Sequence, residues 1–239
     1  MKVALVLNGD EPSGDDLKLL DACDAIVCAD GAAQVLLKTN HVPTVIVGDM
    51  DSLKGDAYKW ADALDIAIER HPMDKDHIDG ELALDKAIAL GAKSVLILGA
   101  HGGRTAMFLA NLKLLRRVHD LGLDGSMVGR GESIRYITAG GELLLAGRTG
   151  AILNLLAIDG DAVVNLSGTQ WDGSDIALGS RGSRGMSTKI TSDGARSQVR
   201  FGTVCCVGAR KTQEYHIMLS KASCRCERSA SGRATARSW

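Results

Sequence analysis

The chain has 239 residues, of which 45% are hydrophobic and 24% are charged, and its formal net charge is -1. This composition supplies a sizeable core, which favours a globular protein of one large or two small domains. Because the charges balance, a global attraction to nucleic acid or to an anionic membrane is excluded, and a small-molecule partner is expected instead.

The first residues and the cysteines indicate a cytoplasmic protein. The apolar run in residues 1–7 is too short for the core of a signal peptide, and no small-residue cleavage site follows it. No other apolar run approaches the roughly 20 residues of a membrane-spanning helix. The six cysteines form no Cys-x-x-Cys pair of the zinc-binding type, so we expect reduced, idle thiols.

The first half of the chain alternates short β-branched apolar runs with longer segments of helical period. This alternation is typical of parallel strands joined by crossover helices, which predicts an open, mostly parallel α/β sheet. The predicted elements, in chain order, are strand Val3–Leu7, helix Asp15–Asp21, strand Ala25–Ala29, helix Ala32–Thr39, strands Val45–Val47 and Ile66–Ile68, helix Asp79–Leu90, strand Ser94–Leu98 and helix Thr105–Leu121.

The sequence pattern changes near Gly125, where short apolar runs separated by glycines replace segments of helical periodicity. Short strands between Gly and Asp turns predict an antiparallel β-sandwich. The predicted strands are Glu142–Leu145, Ala151–Ala157, Ala162–Leu166, Lys189–Thr191, Gln198–Phe201 and Thr203–Val207. We therefore predict an α/β domain over residues 1–125, a β-sandwich over residues 126–208, and a disordered basic tail over residues 209–239, with an arm that binds nucleic acid or a partner as the alternative for the tail.

Polar loops follow the predicted parallel strands. They are Asn8-Gly9-Asp10, Asp30-Gly31, residues 48–52, residues 71–79 and residues 99–104. In open α/β sheets, ligands bind outside the carboxyl ends of the strands. We therefore expect all five loops to meet at one edge of the sheet and to form the site.

These loops are rich in carboxylates, namely Asp30, Asp49, Asp51, Asp74, Asp76 and Asp79. Clustered carboxylates repel one another unless a cation lies among them. Oxygen ligands of this kind suit Mg²⁺, which prefers one or two carboxylates, waters and substrate phosphates. The sequence therefore predicts a metal-phosphate site, although Asp49 and Asp51 alone are also compatible with a helix-capping turn.

Two of the loops also carry phosphate-binding features. In Gly102-Gly103-Arg104 the glycines allow backbone N–H groups to approach a phosphate, and the guanidinium can bind phosphate oxygens in bidentate fashion; Lys75 adds a second cation. The chain has no Gly-Lys-Ser/Thr P-loop and no Gly-x-Gly-x-x-Gly after its first strand. A nucleotide would therefore bind through a motif other than these two.

Four motifs in this order resemble the thiamine pyrophosphokinase family. They are Asp30-Gly31-Ala32, residues 48–52 (Gly-Asp-Met-Asp-Ser), residues 74–84 (Asp-Lys-Asp-His-Ile-Asp-Gly-Glu-Leu-Ala-Leu) and residues 102–111, which begin with Gly-Gly-Arg and end with Asn. The resemblance spans about residues 1–207 and is strongest before Asn111. It implies an α/β domain followed by a thiamine-binding β-sandwich.

The resemblance also implies the activity and the site residues. A cytoplasmic homodimer with shared sites would use Mg²⁺ and ATP to transfer diphosphate to the hydroxyl of thiamine, giving thiamine diphosphate and AMP. The implied catalytic and metal-binding residues are Asp49, Asp51, Asp76 and Asp79. The implied nucleotide-binding residues are Asp30, Lys75, Gly102, Gly103 and Arg104, and those for thiamine are Trp171 and Ser187. Trp171 could alternatively be an ordinary, partly buried aromatic residue.

The chain departs from the family motifs at several positions. Ile78 replaces a Thr, Ala106 and Met107 replace an Asp-His pair, and Ser187-Thr188-Lys189 replaces Ser-Asn-Glu. A carboxylate and an imidazole are thereby lost from the expected site. Two alternatives to a full thiamine pyrophosphokinase therefore stay open: a pyrophosphokinase for another heteroaromatic alcohol, such as a hydroxymethylpterin, and a nucleotide- or thiamine-binding relative without turnover.

Overall fold

The structure is a computed structural model, and it describes residues 1–53, 55–72 and 78–209. The predicted site residues Asp74, Lys75 and Asp76 lie outside the described residues. Nearly all of the predicted basic tail, residues 210–239, also lies outside them. The predictions made for these residues therefore stay predictions.

The described chain contains five α-helices and fourteen β-strands, with 3₁₀ turns at Lys18–Ala22 and Asp30–Ala32. The helices are α1 (Gly14–Leu17), α2 (Ala33–Leu36), α3 (Asp56–Ala63), α4 (Asp79–Ala89) and α5 (Thr105–Asp120). The strands of the first half are β1 (Lys2–Val6), β2 (Ala25–Ala29), β3 (Val45–Gly48), β4 (Ala67–Arg70), β5 (Ser94–Leu98) and β6 (Asp124–Gly129). The remaining strands are β7 (Glu132–Thr138), β8 (Glu142–Leu144), β9 (Ile152–Ala157), β10 (Ala162–Ser167), β11 (Gly173–Leu178), β12 (Thr188–Lys189), β13 (Arg196–Phe201) and β14 (Thr203–Ala209).

Six parallel strands form the centre of the molecule in the order β6-β5-β1-β2-β3-β4. The chain first builds outward from β1 through β2, β3 and β4, and then returns to add β5 and β6 on the other side of β1. The strand order therefore reverses between β1 and β5. In open α/β sheets such a reversal leaves a crevice at the carboxyl ends of the strands, where ligands bind.

Helices cover both faces of this parallel sheet. Because side chains alternate along a strand, Val3 and Leu5 of β1 lie in one core with α4 and α5, while Ala4 and Val6 lie in a second core with α2 and α3. Strands buried on both faces are apolar at every position, as the burial of β2 shows. The two cores hold the carboxyl ends of the strands in fixed positions.

The second half continues the same sheet. After β6 the strands β7, β14, β9 and β12 are added in antiparallel pairings, which gives one ten-stranded sheet. A separate antiparallel sheet, β11-β10-β13-β8, packs on this extension through a third core that includes Leu155, Val164 and Val199. The predicted fold class, a mostly parallel α/β sheet followed by an antiparallel sandwich, is confirmed.

The structure differs from the predicted elements at several places. The predicted helices Asp15–Asp21 and Ala32–Thr39 are each divided between a short α-helix and a 3₁₀ turn. Strands β6, β7 and β11 and helix α3 were not predicted, and residues 125 and 126, between which we placed the domain boundary, both lie inside β6. Among the described residues, none of the helices is both long and apolar enough to cross a membrane.

Candidate active site at the carboxyl ends of the parallel strands

The loops that follow β1 and β5 are joined by backbone hydrogen bonds. The N–H of Gly9 donates to the carbonyl of Gly99 at 2.8 Å, and that of Asp10 donates to the carbonyl of His101 at 2.6 Å. A Cβ on Gly9 would lie 2.2 Å from the His101 carbonyl oxygen, so only glycine fits there. The two loops therefore form one rigid wall at the point where the strand order reverses.

Three carboxylates meet beside this wall. Asp30 follows β2, Asp49 and Asp51 follow β3, and one oxygen of each lies within 4.8 Å of the others. The neighbouring parallel strands end at the same edge of the sheet, and this brings together residues that are distant in the sequence. We call Asp30, Asp49 and Asp51 the carboxylate cluster.

A tight turn sets the geometry of the carboxylate cluster. The N–H of Asp51 donates to Oδ1 of Asp49 at 3.0 Å, and Ser52 Oγ donates to Oδ1 of Asp51 at 2.7 Å. The N–H of Ser52 donates to Oδ2 of Asp30 at 3.1 Å, which ties the β3 loop to the β2 loop. Met50 has a φ of 67°, a left-handed conformation that a turn of this kind requires.

Asp30 is the buried member of the carboxylate cluster, with 1% of its surface exposed. Its Oδ1 atom has no hydrogen-bond partner among the described residues. Burial raises the pKa of Asp30, and the nearby charges of Asp49, Asp51 and Asp79 raise it further, whereas the hydrogen bond from Ser52 N–H lowers it. A buried carboxylate oxygen of this kind lacks a positive partner, and an oxygen-binding divalent cation would supply one.

A cleft of about 320 Å³ adjoins the carboxylate cluster. Asp79, the first residue of α4, and Arg104, which precedes α5, lie in its wall together with Gly102 and Gly103. Arg104 is exposed, and α5 begins directly after it, at Thr105. The structure thus places a guanidinium, two glycines and a helix N-terminus beside clustered carboxylates, an arrangement suited to a metal-bound phosphate chain.

Asn111 stabilises one wall of this cleft, the loop after β5. Its Nδ2 atom donates to the carbonyl oxygen of Ala100 at 2.9 Å, and the side chain is buried. The hydrogen bond connects α5 to the loop after β5. Asn111, which ends the fourth sequence motif, therefore holds the loop that carries Gly102, Gly103 and Arg104.

The two positions that depart from the family motif differ in their surroundings. Met107 is partly buried and lies in the wall of the cleft, which Ile78 and Asp79 also line. Ala106 is exposed and is not among the residues that line the cleft. The apolar side chains of Met107 and Ile78 therefore line the same cleft as the charged side chains of Asp79 and Arg104.

Trp171 and Ser187 lie near each other on the sandwich. The loop at residues 168–170 pairs with the end of β12 and the residue after it: the N–H of Gln170 donates to the carbonyl of Lys189 at 2.7 Å, and Thr169 forms a β-bridge with Ile190. Trp171 is 61% exposed, so it is not a core aromatic residue. Ser187 is also exposed and donates its N–H to Oδ1 of Asn154 at 2.8 Å.

These two residues lie far along the sheet from the carboxylate cluster. Six strands separate β12 from β2 in the order β12-β9-β14-β7-β6-β5-β1-β2. The seven inter-strand spacings of about 4.8 Å correspond to roughly 34 Å along the sheet. Within one chain, the predicted thiamine residues and the predicted metal residues therefore lie in separate regions.

A second cavity, which the sequence did not reveal, adjoins the cleft. Its volume is about 340 Å³, and its walls come from the loops after β1, β5 and β6, including Asp10, His101 and Arg130. Gly99 lines both cavities, so they are neighbours. His101 occupies a Gly-rich loop and follows no hydrophobic period, so nothing in the sequence singled it out.

Comparisons with known proteins agree with this architecture. Residues 17–124 match the family model described as thiamin pyrophosphokinase, catalytic domain. No curated protein sequence matches the chain. Among solved structures, the thiamine pyrophosphokinase of Bacillus subtilis is 18% identical with a TM-score of 0.78, and the match covers 88% of this chain and 100% of that one.

Two further thiamine pyrophosphokinase structures show the same similarity. The Geobacillus thermodenitrificans protein is 23% identical with a TM-score of 0.75, covering 88% of this chain and 98% of that chain. The Candida albicans protein is 15% identical with a TM-score of 0.76, covering 88% and 89% respectively. The resemblance inferred from the four motifs is therefore confirmed: residues 17–124 match the thiamin pyrophosphokinase catalytic domain, and the described chain has the fold of thiamine pyrophosphokinases.

Proposed function

We propose that this protein transfers diphosphate from ATP to the hydroxyl of thiamine, yielding thiamine diphosphate and AMP. The observation that carries the proposal is the meeting of Asp30, Asp49 and Asp51 beside a cleft that contains Arg104, in a chain whose residues 17–124 match the thiamin pyrophosphokinase catalytic domain. In this reaction the thiamine oxygen forms a bond to the β-phosphorus, and the bond from that phosphorus to the α-phosphate oxygen breaks.

The carboxylates fit a divalent metal. All the cluster ligands are oxygens, and the buried, unbonded Oδ1 of Asp30 lacks a cation. Asp30, Asp49 and Asp51 would hold Mg²⁺, with Asp79 and, from outside the described residues, Asp76 as further predicted ligands. Mg²⁺ bound there would neutralise charge on the ATP phosphates.

The other predicted residues have supporting roles in this proposal. Arg104 would bind and orient the phosphate chain together with the N–H groups of Gly102 and Gly103. Lys75, also outside the described residues, would add a second cation. Trp171 would stack on a thiamine ring, and Ser187 would donate or accept a hydrogen bond at the ring's polar edge.

We also propose that the active protein is a homodimer with shared sites. Trp171 and Ser187 lie at the far end of the sheet from the carboxylate cluster of the same chain. A second copy in a symmetric dimer could bring its cluster to them and would then create two equivalent sites. The described cysteines are free thiols, which supports the further proposal of a reducing, cytoplasmic location.

One observation favours a second candidate, a relative that binds nucleotide but turns it over slowly or not at all. Met107 brings a thioether to the cleft wall, where the family resemblance implies a polar side chain. The carboxylate cluster and Arg104 would still bind Mg-ATP. In this candidate the missing groups would affect the chemical step and leave nucleotide affinity intact.

The deciding experiment measures AMP release by the full chain with ATP and Mg²⁺ in the presence of thiamine or a hydroxymethylpterin. The proposed function predicts AMP release that depends on both Mg²⁺ and thiamine and is lost in Asp51→Asn. Release that depends on the pterin alone would assign a different acceptor. Mg-ATP binding without acceptor-dependent AMP release would establish the non-catalytic candidate instead.

A further inference from the structure

The turn between β6 and β7 carries an arginine in an unusual backbone conformation. The two strands pair as far as Gly129 and Glu132, so Arg130 and Gly131 alone form the turn. Both have a positive φ, 54° for Arg130 and 74° for Gly131, a conformation that Asn, Asp or Gly adopts more readily than Arg. An arginine kept in this conformation points to a role for its side chain.

The Arg130 side chain reaches the loop that follows β1. Its Nε and Nη2 atoms each lie 2.7 Å from Oδ2 of Asp10. Both side chains remain partly exposed, and an exposed ion pair contributes little to the stability of a fold. The guanidinium nevertheless fixes the direction of the Asp10 carboxylate, because two of its donors contact the same oxygen.

The Asp10 carboxylate in turn lies against the loop that follows β5. The N–H of Asp10 donates to the carbonyl oxygen of His101 at 2.6 Å, and a Cβ on Gly102 would overlap the Asp10 carboxylate. Gly102 also has a φ of 77°, so glycine is favoured there both by its conformation and by the space that it leaves. A movement of the carboxylate therefore changes the space that is open to the backbone at Gly102.

The ion pair lies outside the cleft that holds the phosphate-binding features. Asp10 and Arg130 line the second cavity, whereas Gly102, Gly103 and Arg104 line the cleft. The path of contacts from Arg130 to the cleft therefore runs through Asp10 and Gly102. We propose that Arg130 is a positioning residue, which through Asp10 holds Gly102, Gly103 and Arg104 where they bind the phosphates of ATP. The proposal rests on the proposed function, which places those phosphates in the cleft.

A purely electrostatic role of the ion pair predicts a different result. The Asp10 carboxylate repels phosphate oxygens, so in that case Arg130 would act only by neutralising it, and removal of Asp10 would strengthen the binding of Mg-ATP. In the positioning role, Asp10→Ala weakens the binding of Mg-ATP, because the loop loses the carboxylate against which Gly102 packs. The sign of the change in affinity therefore separates the two roles.

The test measures the affinity of the full chain for Mg-ATP by equilibrium titration, and the order of the Gly102 and Gly103 amides in the nucleotide-free protein by NMR relaxation. We expect Arg130→Gln and Asp10→Ala each to weaken Mg-ATP binding by about three- to tenfold and to increase the motion of both amides. Because Arg130 acts through Asp10, the double variant should bind no more weakly than Asp10→Ala alone. Arg130→Lys keeps a cation near Asp10 and should restore most of the affinity.

Arg117→Gln is the matched control. Arg117 forms an exposed ion pair of the same 2.7 Å length, but with Asp85. Neither Mg-ATP affinity nor the order of the two amides should change in this variant.

Three results would overturn the proposal. They are unchanged affinity and amide order in Arg130→Gln, tighter Mg-ATP binding in Asp10→Ala, and losses that multiply in the double variant, since these would indicate two independent contacts. Failure of the proposed function looks different: thiamine-dependent AMP release would be absent, while the order of the Gly102 amide would still depend on Arg130 and Asp10.

Discussion

Asp30 illustrates, at the scale of single residues, a conflict between stability and binding. Its carboxylate is buried with one unbonded oxygen near other negative charges, and burial together with these charges raises its pKa. A group whose pKa is raised by folding stabilises the fold fully only below its ordinary pKa and loses this contribution as the pH rises through the raised value. In its ionised form, Asp30 of the metal-free protein is therefore a buried charge that disfavours the folded state.

Replacing Asp30 by Asn should separate the two effects. An amide can still accept the hydrogen bond from Ser52 N–H, and it removes the buried charge. We expect Asp30→Asn to raise the stability of the metal-free protein at pH 7 by about 0.5–2 kcal/mol, as substitutions at strained functional sites often do, while Mg²⁺-dependent ATP binding is lost. Urea unfolding with and without Mg²⁺ measures both. A destabilised, metal-binding variant would contradict the role given to Asp30.

The burial of His101 leads to a prediction about the stability of the fold at acidic pH. Because burial lowers its pKa below the ordinary value of 6.5, the folded state binds the proton less well than the unfolded state. The stability associated with neutral His101 is therefore present above pH 6.5 and is lost as the pH falls below it. His101→Phe should flatten the melting temperature between neutral and mildly acidic pH, and by removing two unpaired nitrogens it should stabilise the protein by about 1 kcal/mol. An unchanged pH profile would mean that other groups, such as His119, dominate the acid side.

The residues at positions 106 and 107 lead to a prediction about the rate of the chemical step. The family resemblance implies an Asp-His pair at these positions, and Met107 lies in the cleft wall. We expect the Ala106→Asp, Met107→His double variant to release AMP faster with thiamine, by about thirtyfold to nine-hundredfold if a transition-state contact worth about 2–4 kcal/mol is restored. ATP affinity should barely change, because the carboxylate cluster and Arg104 are untouched. Unaltered turnover in the double variant would show that another residue supplies the missing group.

Among the elements, the close approach of the β1 and β5 loops is the most sensitive feature. A Cβ at position 9 would lie 2.2 Å from one backbone oxygen and 2.4 Å from another. We expect Gly9→Ala to destabilise the fold by about 1–3 kcal/mol, because backbone atoms must move to accept the methyl group. Gly14→Ala is the matched control: it meets nothing within 4 Å and lies at the start of α1, so chemical denaturation should show little or no loss. Equal losses in both variants would refute the steric explanation.

How far the sequence predicts an element depends on how strong its pattern is. Helices α4 and α5 were predictable because each carries a long apolar stripe, whereas α3 buries only Ala57 and Ala61, whose small side chains give a weak period. Strand β6 was missed because its glycines resemble a turn. The structure gives the reason for Gly125: a Cβ there would lie 2.8 Å from Val118 Cγ1, so glycine lets α5 pack closely on the strand.

The same distinction applies to the site. The convergence of Asp30, Asp49 and Asp51 follows from a general rule about where parallel strands end, so it could be predicted from local motifs. The second cavity, which His101 lines, could not be predicted from the sequence. It depends on β6, on the packing of Phe108 against His101 and on the glycine at position 129 beside the ring. Such features arise from tertiary packing, and no periodicity in the sequence encodes them.

For the whole molecule, the separation of Trp171 from the carboxylate cluster predicts complementation between subunits. In a dimer with shared sites, mixing Asp51→Asn with Trp171→Ala subunits leaves one intact site in each mixed dimer. Random exchange makes half of the dimers mixed, so about a quarter of the unaltered activity should return, although each variant alone is inactive. Sedimentation establishes that the mixture is dimeric. If no activity returns in mixed dimers, each site is built from a single chain.

The pairing of β7 with β14 also bears on the order in which the protein is made. Residues 132–138 of β7 lie beside residues 203–209 of β14, the last strand described, and β14 in turn pairs with β9. A nascent chain on the ribosome can therefore complete β1 to β6 early but must leave the edges of β7 and β9 unpaired until β14 emerges. Open strand edges are templates for aggregation. A chain terminated prematurely before residue 203 should accordingly be insoluble, even though it retains every carboxylate of the cluster.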